Sequence, residues 1–333
     1  MATLPQQIAT TLKKSRSVLI VAHIAPDGDC LGSALALQGA LQRLNIPAVV
    51  GSQDGVPESF AFLPGAATIV TTPPSAVSEV GVAMECSTLE RAGVFGAALM
   101  ASGTVINIDH HLSNTEYGHL NYWDTTAAAV GELIYEVIAA LRVPVDATLA
   151  QALMTAVVTD TGCFRFPTVT ARTLQLATTL VEAGATITPI IERIYEARTL
   201  AGVRLLGMAL AATQVSPDGQ VAWTVVTPEM LTTTGATTQD VTGIVGMLRQ
   251  VRGVRVAVVF EGVAEGVRVS IRARDGVRAN IIAETFGGGG HLGAAGFTTA
   301  GLLPEVVAKT LAAVQTEVQL TQRPQTAQPA PAV

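Results

Sequence analysis

The sequence predicts an α/β protein: an N-terminal parallel sheet with flanking helices, joined by a helical linker to a smaller mixed α/β domain. Three observations carry this. Short apolar runs at 17–22, 47–51, 81–85 and 104–108 alternate with helix-forming segments, as parallel strands buried on both faces do. After residue 212 the texture changes to longer strand-like runs set around turns. Finally, 49% of the 333 residues are hydrophobic and only 14% are charged, against about 25% charged in an average domain. That is apolar material for a large core.

In chain order, 4–15 reads as a helix, 17–22 as a buried strand, 31–44 as a helix and 47–51 as a short strand. The strands at 81–85 and 104–108 enclose helix-forming sequence, and successive helices are expected at 126–142, 146–159, 170–183 and 187–197. These make a first domain over 1–197. A linker helix is expected over 198–212. A second domain over 213–320 holds strands at 220–226, 254–262 and 266–272 and helices at 238–250 and 279–286. The Pro/Gln/Ala-rich tail 321–333 is expected to be disordered.

Composition excludes several classes. The chain has 20 basic and 26 acidic residues, a formal charge of -6, which excludes a generally basic nucleic-acid surface. Its apolar content excludes a disordered chain. Cys30, Cys86 and Cys163 are odd in number and far apart, so a disulfide framework is not expected and a reducing cytoplasm is. Lys13, Lys14 and Arg16 precede an apolar run as in a leader. Asp27 and Asp29 follow it, however, where a cleavage site would need small residues. The uncharged apolar stretch 92–108 is 17 residues, short of the ~20 that cross a bilayer. No membrane association is expected. The scarce charge and abundant Ala and Val suit a homodimer.

With so few charges, their grouping is informative. His23, Asp27 and Asp29 follow the first strand within seven residues. Pro26 and Gly28 break helical continuation there, so the three side chains are expected on a turn. A mixed imidazole and carboxylate set suits manganese, iron or zinc better than magnesium; the alternative is a solvated loop with an aspartate capping a helix. The third strand ends at Glu85. The next ends at Asp109-His110-His111, where one histidine can ligate while the other faces substrate and Asp109 orients one of them. Asp160 ends a predicted helix. Loops at the carboxyl ends of parallel strands converge on one crevice. His23, His110, Asp27, Asp29, Glu85 and Asp160 are more donors than one open catalytic metal needs. They suit two metals about 3.5–4 Å apart that activate water for phosphoryl displacement.

The motifs H-x-x-x-D-x-D-x-x-G-S at 23–33, D-H-H at 109–111 and T-D-T-G at 159–162 resemble the DHH phosphoesterase superfamily. The run Gly287-Gly288-Gly289-Gly290-His291, followed by Ala294-Ala295-Gly296, resembles the signature of its DHH-associated C-terminal domain. The layout is most similar to the bifunctional branch that degrades RNA fragments of a few nucleotides (nanoRNA) and removes the 3′-phosphate of 3′-phosphoadenosine 5′-phosphate, pAp. The resemblance implies two divalent ions, Mn2+ first and Mg2+ or Co2+ as alternatives. His23 and Asp27 would hold one, and Asp29, His110 and Asp160 the other. His111 would assist catalysis outside the ligand set, and Asp109 would orient. The family usually carries Asp where this chain has Glu85, one methylene longer, at the position that bridges the metals. Arg91 stands where the branch often has Arg.

Seven of the 17 arginines lie within 249–278. Arginine grips phosphate bidentately; the alternative is a solvated basic face. Alternation places Ser270, Arg272 and Arg274 on one strand face. Arg272 also matches an arginine of the family. Gly288, Gly289 and Gly290 let backbone N–H groups approach an anion, and His291 is expected to start a helix over 292–295. Together these residues are expected to hold the terminal phosphate or base of short RNA or DNA oligonucleotides and pAp. The function expected is end-on hydrolysis of short RNA and of the pAp 3′-phosphate. Alternatives are a dinucleotide or cyclic-dinucleotide phosphodiesterase, or a nucleotide sensor weakened by Glu85. A manganese pyrophosphatase would lack the Gly287–His291 run.

Overall fold

The computed structural model describes residues 2–321. The expected disordered tail beyond Thr321 lies outside them. The chain divides into two compact units, Met1–Ala197 and Arg198–Val333.

The first unit runs α1 (Leu4–Lys14), β1 (Val18–Ala22), α2 (Gly28–Arg43), β2 (Ala48–Gly51), β3 (Val80–Met84), α3 (Gly96–Met100), β4 (Thr104–Asp109), β5 (Leu120–Trp123), α4 (Val130–Leu141), α5 (Ala147–Asp160), α6 (Ala171–Glu182) and α7 (Thr188–Ile194). Its sheet has the order β2-β1-β3-β4-β5 and every pair is parallel. The order reverses between β1 and β3, and ligands of open α/β sheets bind outside the carboxyl ends of strands at such a point. β1 and β3 are buried at every position, which explains their unbroken apolar sequence. β5 escaped notice because only Tyr122 of its four residues is buried.

α2 and α5 explain the scarcity of charge. Thirteen of the 16 residues of α2 are buried, and α5 is buried from Leu149 to Val158 except at Gln151. A helix apolar all round is an interior helix. The two cross closely because Gly32 has no side chain: a Cβ there would sit 2.4 Å from Ala152 O. α2 starts at Gly28, earlier than expected. Asp27 is its N-cap and accepts from Cys30 N at 3.0 Å, so Asp29 lies in the first helical turn and not on a free turn.

The second unit runs α8 (Leu200–Ala211), β6 (Gln214–Val215), β7 (Val221–Val226), α9 (Pro228–Thr234), α10 (Ile244–Leu248), β8 (Val256–Val263), β9 (Gly266–Ala273), α11 (Ala279–Glu284), β10 (Gly289–His291), β11 (Ala294–Thr299) and α12 (Leu303–Leu320). Its sheet is mixed, in the order β10-β11-β9-β8-β7-β6. The expected linker is α8, which buries Leu205 and Ala209 in a core with Ala257 and Val259 of β8 and is part of this unit. The helix expected over 238–250 is broken at Gly243, whose φ of 87° no helix accommodates, leaving a 3-10 turn before α10. The helix expected after His291 is a β-hairpin instead. Ala294–Thr299 pairs with β9 along its whole length, and the alternation of buried Ala295 and Phe297 with more open neighbours is that of a strand.

No helix among the described residues is long and apolar enough to cross a membrane.

Candidate functional site

Register builds the first site. Ala22 pairs with Met84 and Met84 with Ile108, so His23, Glu85 and Asp109 leave three adjacent strands at one level, with His23 and Glu85 flanking the switch point. Asp29 and Asp160 arrive on α2 and α5, which Gly32 lets approach. The six donor residues expected from sequence are brought together with Glu85 at the centre. Glu85 Oε2 lies 3.8 Å from His23 Nε2, and Asp27 Oδ1 lies 3.9 Å from the same nitrogen. Glu85 Oε1 lies 3.7 Å from His110 Nε2, which is 3.4 Å from Asp160 Oδ2. Asp29, Glu85, His110 and Asp160 form one group able to hold a cation; His23, Cys30 and Glu85 form a second, and Glu85, His110 and His111 a third.

The surroundings turn each donor inward. Asp29 is fully buried and accepts from Val130 N at 2.6 Å, Gly131 N at 3.0 Å and Ser33 Oγ at 3.1 Å. The first two are amides of the first turn of α4, where the helix dipole favours an anion. His110 Nδ1 lies 3.0 Å from Ala127 O and His23 Nδ1 lies 2.7 Å from Ile24 O. A carbonyl only accepts, so each Nδ1 carries a hydrogen and each Nε2 is left to face the carboxylates. Glu85 has a φ of 57°, a conformation that costs an L-residue about 1–2 kcal/mol.

Like charges packed this closely in low dielectric resist ionisation. Burial, then the charge of Asp160, pushes the Asp29 carboxyl up to about 8. Burial raises Asp160 to about 6. Burial, then Asp27 and Asp29, raises Glu85 well above the carboxylate range. His23 is lowered, chiefly by burial, with Arg91 adding to the effect. His110 is raised: Glu85, Asp160 and Asp29 outweigh its burial.

These residues fit divalent cations. Glu85 Oε2 is buried and has no hydrogen-bond partner among the described residues. The donor separations of 3.4–3.9 Å are near those of ligands that share an ion at about 2.0–2.2 Å each.

Asp109 is buried and serves the two histidines. Its Oδ1 accepts from His110 N at 2.8 Å, His111 N at 3.1 Å and His111 Nδ1 at 2.7 Å. Burial would raise its carboxyl, but these bonds and one from Asn114 hold it below its ordinary value. His111 then directs Nε2 to within 3.9 Å of Glu85 Oε1, with its ring edge-on to His110. Sequence reasoning missed Asn114, whose Nδ2 bonds both Asn107 Oδ1 and Asp109 Oδ2. A lone asparagine in a loop gives no signal for that role. Arg91 is half-buried, and its carbonyl accepts from Ile24 N at 2.8 Å.

The second unit sorts the arginines. Arg274 lies just beyond β9, not on its face: its Nε donates to Val254 O at 2.6 Å and its Nη2 to Val251 O at 3.4 Å. Arg278 pairs with Glu317 at 2.7 Å, Arg268 with Glu261 at 3.5 Å, and Arg255 bonds Asp275 O at 2.7 Å. Arg272 has no such carboxylate among the described residues; its Nη1 donates to Ile271 O at 3.0 Å. Burial and the like charge of Arg249 lower its guanidinium pKa. His291, Ala294 and Arg272 are register partners across three strands, and Gly289, Gly296 and Ser270 form the next row on that face. Small residues thus form a floor between Arg272 and His291. The glycine run is less open than expected: Gly287 N and Gly288 N already donate to Glu284 O and Ala283 O.

Residues 17–157 match the DHH family N-terminal domain and residues 218–320 match the DHHA1 domain. The chain is 35% identical over 317 residues to the bifunctional oligoribonuclease and PAP phosphatase NrnA of Thermus thermophilus, covering 93% of each chain. It is 27% identical over 293 residues to the Bacillus subtilis protein of the same name, covering 86% of this chain and 90% of that one. The crystal structure of an exopolyphosphatase-related protein from Bacteroides fragilis shares the fold, with a TM-score of 0.89 over 96% of this chain and 98% of that one at 22% identity. The chain belongs to the DHH family, in the branch of the bifunctional oligoribonuclease and PAP phosphatases, and carries a DHHA1 domain in its second unit.

Proposed function

We propose that this hydrolase of phosphoester bonds removes nucleotides from the ends of short RNA oligonucleotides and takes the 3′-phosphate from pAp. The observation that supports this most is the position of Glu85, with one carboxylate oxygen toward His23 and Asp27 and the other toward His110 and Asp160. In this reading His23 and Asp27 would hold one divalent ion and Asp29, His110 and Asp160 the other. Glu85, facing both groups of donors, would be shared between them, and manganese suits the mixed donor set. Two such ions, when bound, supply an activated water and neutralise charge on the phosphoryl group.

The other groups are the chain's own. Asp109 fixes His111 so that Nε2 is presented toward the cluster, where it stabilises or protonates the leaving oxygen. Arg272, His291 and Gly289 form an anion-receptive face suited to a phosphate of the substrate. Acidic overall charge disfavours long polyanions, so short substrates fit best. NrnA of Thermus thermophilus, similar over nearly its whole length, carries both activities in its name.

The test is a panel of pAp, two- to five-mers, a 24-mer, cyclic dinucleotides and pyrophosphate, each assayed with manganese. Turnover of pAp and the shortest oligomers is expected. Equal turnover of the 24-mer and a dinucleotide would remove the end-on, short-substrate reading. Activity confined to cyclic dinucleotides or pyrophosphate would replace it.

A further inference from the structure

The loop after β2 reaches the carboxyl end of β1. Ala25 N donates to Asp54 Oδ2 at 2.6 Å, and His23 Nδ1 donates to Ile24 O at 2.7 Å. Ile24 O and Ala25 N are the two ends of one peptide group. A peptide that donates to a carboxylate is polarised and accepts more strongly at its oxygen. The order is therefore Asp54 carboxylate, Ile24–Ala25 peptide, His23 imidazole. Ala25 stands at φ 51°, a backbone state that an alanine leaves readily unless something holds it. The holding group comes from 29 residues away in sequence.

Gln53, its neighbour, places Nε2 3.5 Å from Asp54 Oδ1, at the outer limit of a hydrogen bond, and bonds more closely elsewhere. Its Oε1 accepts from Val94 N at 2.9 Å, in the loop after β3. Gln53 and Asp54 thus brace two different loops, and of the two only Asp54 bonds the peptide that His23 leans on.

We propose that Asp54 is a positioning residue for the cation site, setting the tautomer, orientation and basicity of His23 through the Ile24–Ala25 peptide. This rests on His23 being a cation ligand, and the experiment separates the two ideas. Manganese alone is titrated calorimetrically into the full-length wild type and into Asp54→Ala, Asp54→Asn, Gln53→Ala and His23→Ala. Outer partners of a ligating histidine typically change metal affinity about 10–100-fold. Asp54→Ala is expected to weaken manganese binding about tenfold or more with its melting temperature nearly unchanged, since Asp54 is exposed. Asp54→Asn keeps an acceptor and recovers most of the loss. Gln53→Ala stays within about twofold of the wild type.

Wild-type affinity in Asp54→Ala, beside a clear loss in His23→Ala, overturns the relay and leaves the ligand intact. An equal loss in Gln53→Ala overturns it too, because a general loosening of the loops would then suffice. Wild-type affinity in His23→Ala overturns the ligand reading and the relay with it. A second measurement does not depend on affinity. Long-range proton–nitrogen NMR of the metal-free protein should show His23 as the Nδ1–H tautomer in the wild type and as a mixture in Asp54→Ala. A pure Nδ1–H tautomer in both overturns the proposal.

Discussion

Glu85 Oε2 lies 3.8 Å from His23 Nε2 while its other oxygen lies 3.7 Å from His110 Nε2. One carboxylate therefore faces two histidines that arrive on different strands. If it joins two cation sites, Glu85→Gln should reduce bound manganese from two ions to one or fewer and lower kcat about 100-fold or more. Glu85→Asp should remain active, because aspartate tolerates a φ of 57° better than glutamate does. Elemental analysis beside kinetics decides it. Full metal content in Glu85→Gln would remove Glu85 from the ligand set.

The same packing sets a pH dependence. Asp29 is pushed up to about 8 by burial and then by Asp160, and Asp160 to about 6 by burial. Unfolded carboxylates titrate near 4. Between those values the folded, metal-free protein holds protons that the unfolded chain has released. Its stability therefore falls as pH rises from about 4 to 8, by about 1.4 kcal/mol per pH unit for each proton held. His110, raised by Glu85, Asp160 and Asp29 against its burial, acts in the same direction above its unfolded value. Manganese needs the deprotonated carboxylates, so the melting temperature it adds should grow with pH and its binding should release protons. Melting curves with and without manganese at pH 5 to 8 check this. A flat metal-free profile counts against the buried cluster.

His111 and His110 should separate by function. His110 Nε2 lies 3.4 Å from Asp160, whereas His111 is tied to Asp109 through Nδ1 and has its Nε2 3.9 Å from Glu85. His111→Ala should keep its manganese and lose about 100- to 10,000-fold in kcat, the range for a proton-transfer group. Asp109→Asn should lower kcat and also cost stability, about 1–3 kcal/mol, because an amide cannot accept all the bonds that converge on Asp109. Loss of metal in His111→Ala would show that the two histidines have exchanged roles.

The motifs at His23, Glu85 and Asp109–His111 were legible because each is a short run of polar residues next to a buried apolar strand, where charge has no structural reason to be. Their three-dimensional meeting was legible only through the rule for parallel sheets. Asp54 and Asn114 were not legible: each acts through backbone or through another side chain, and an isolated polar residue in a loop carries no period. The glycine run misled on local structure. Four glycines before a histidine suited a helix start, but pairing with β11 makes Gly289, Gly290 and His291 an edge strand. Gly243 likewise cut a helix whose apolar spacing looked continuous. Backbone conformation at glycine is set by tertiary packing, which propensity does not see.

The glycine run separates scaffold from function one residue at a time. A Cβ at Gly288 would lie 2.3 Å from Gly296 O and 2.4 Å from Phe297 Cβ, while one at Gly289 meets nothing within 4 Å. Gly288→Ala should therefore destabilise the second unit by about 1–3 kcal/mol. Gly289→Ala should melt like the wild type but raise KM for pAp, since its methyl would stand on the face shared with His291 and Arg272. Thermal melts and KM for both variants test the pair. An unchanged KM in Gly289→Ala would move the phosphate away from this strand.

The arginines give the last contrast. Arg274 is committed to the carbonyls of Val251 and Val254, so Arg274→Ala should cost about 1 kcal/mol of stability and leave KM nearly unchanged. Burial and then the like charge of Arg249 lower the Arg272 guanidinium pKa, though it remains a cation. A cation kept there without a carboxylate is unfavourable until an anion arrives. Arg272→Ala should thus melt at the wild-type temperature or above and raise KM about tenfold or more with manganese affinity unchanged. Arg272→Lys should rescue only part of this, because a point charge does not replace a bidentate fork. If Arg274→Ala raises KM as much as Arg272→Ala does, the whole arginine stretch acts as a diffuse basic field, and the assignment of phosphate to Arg272 fails.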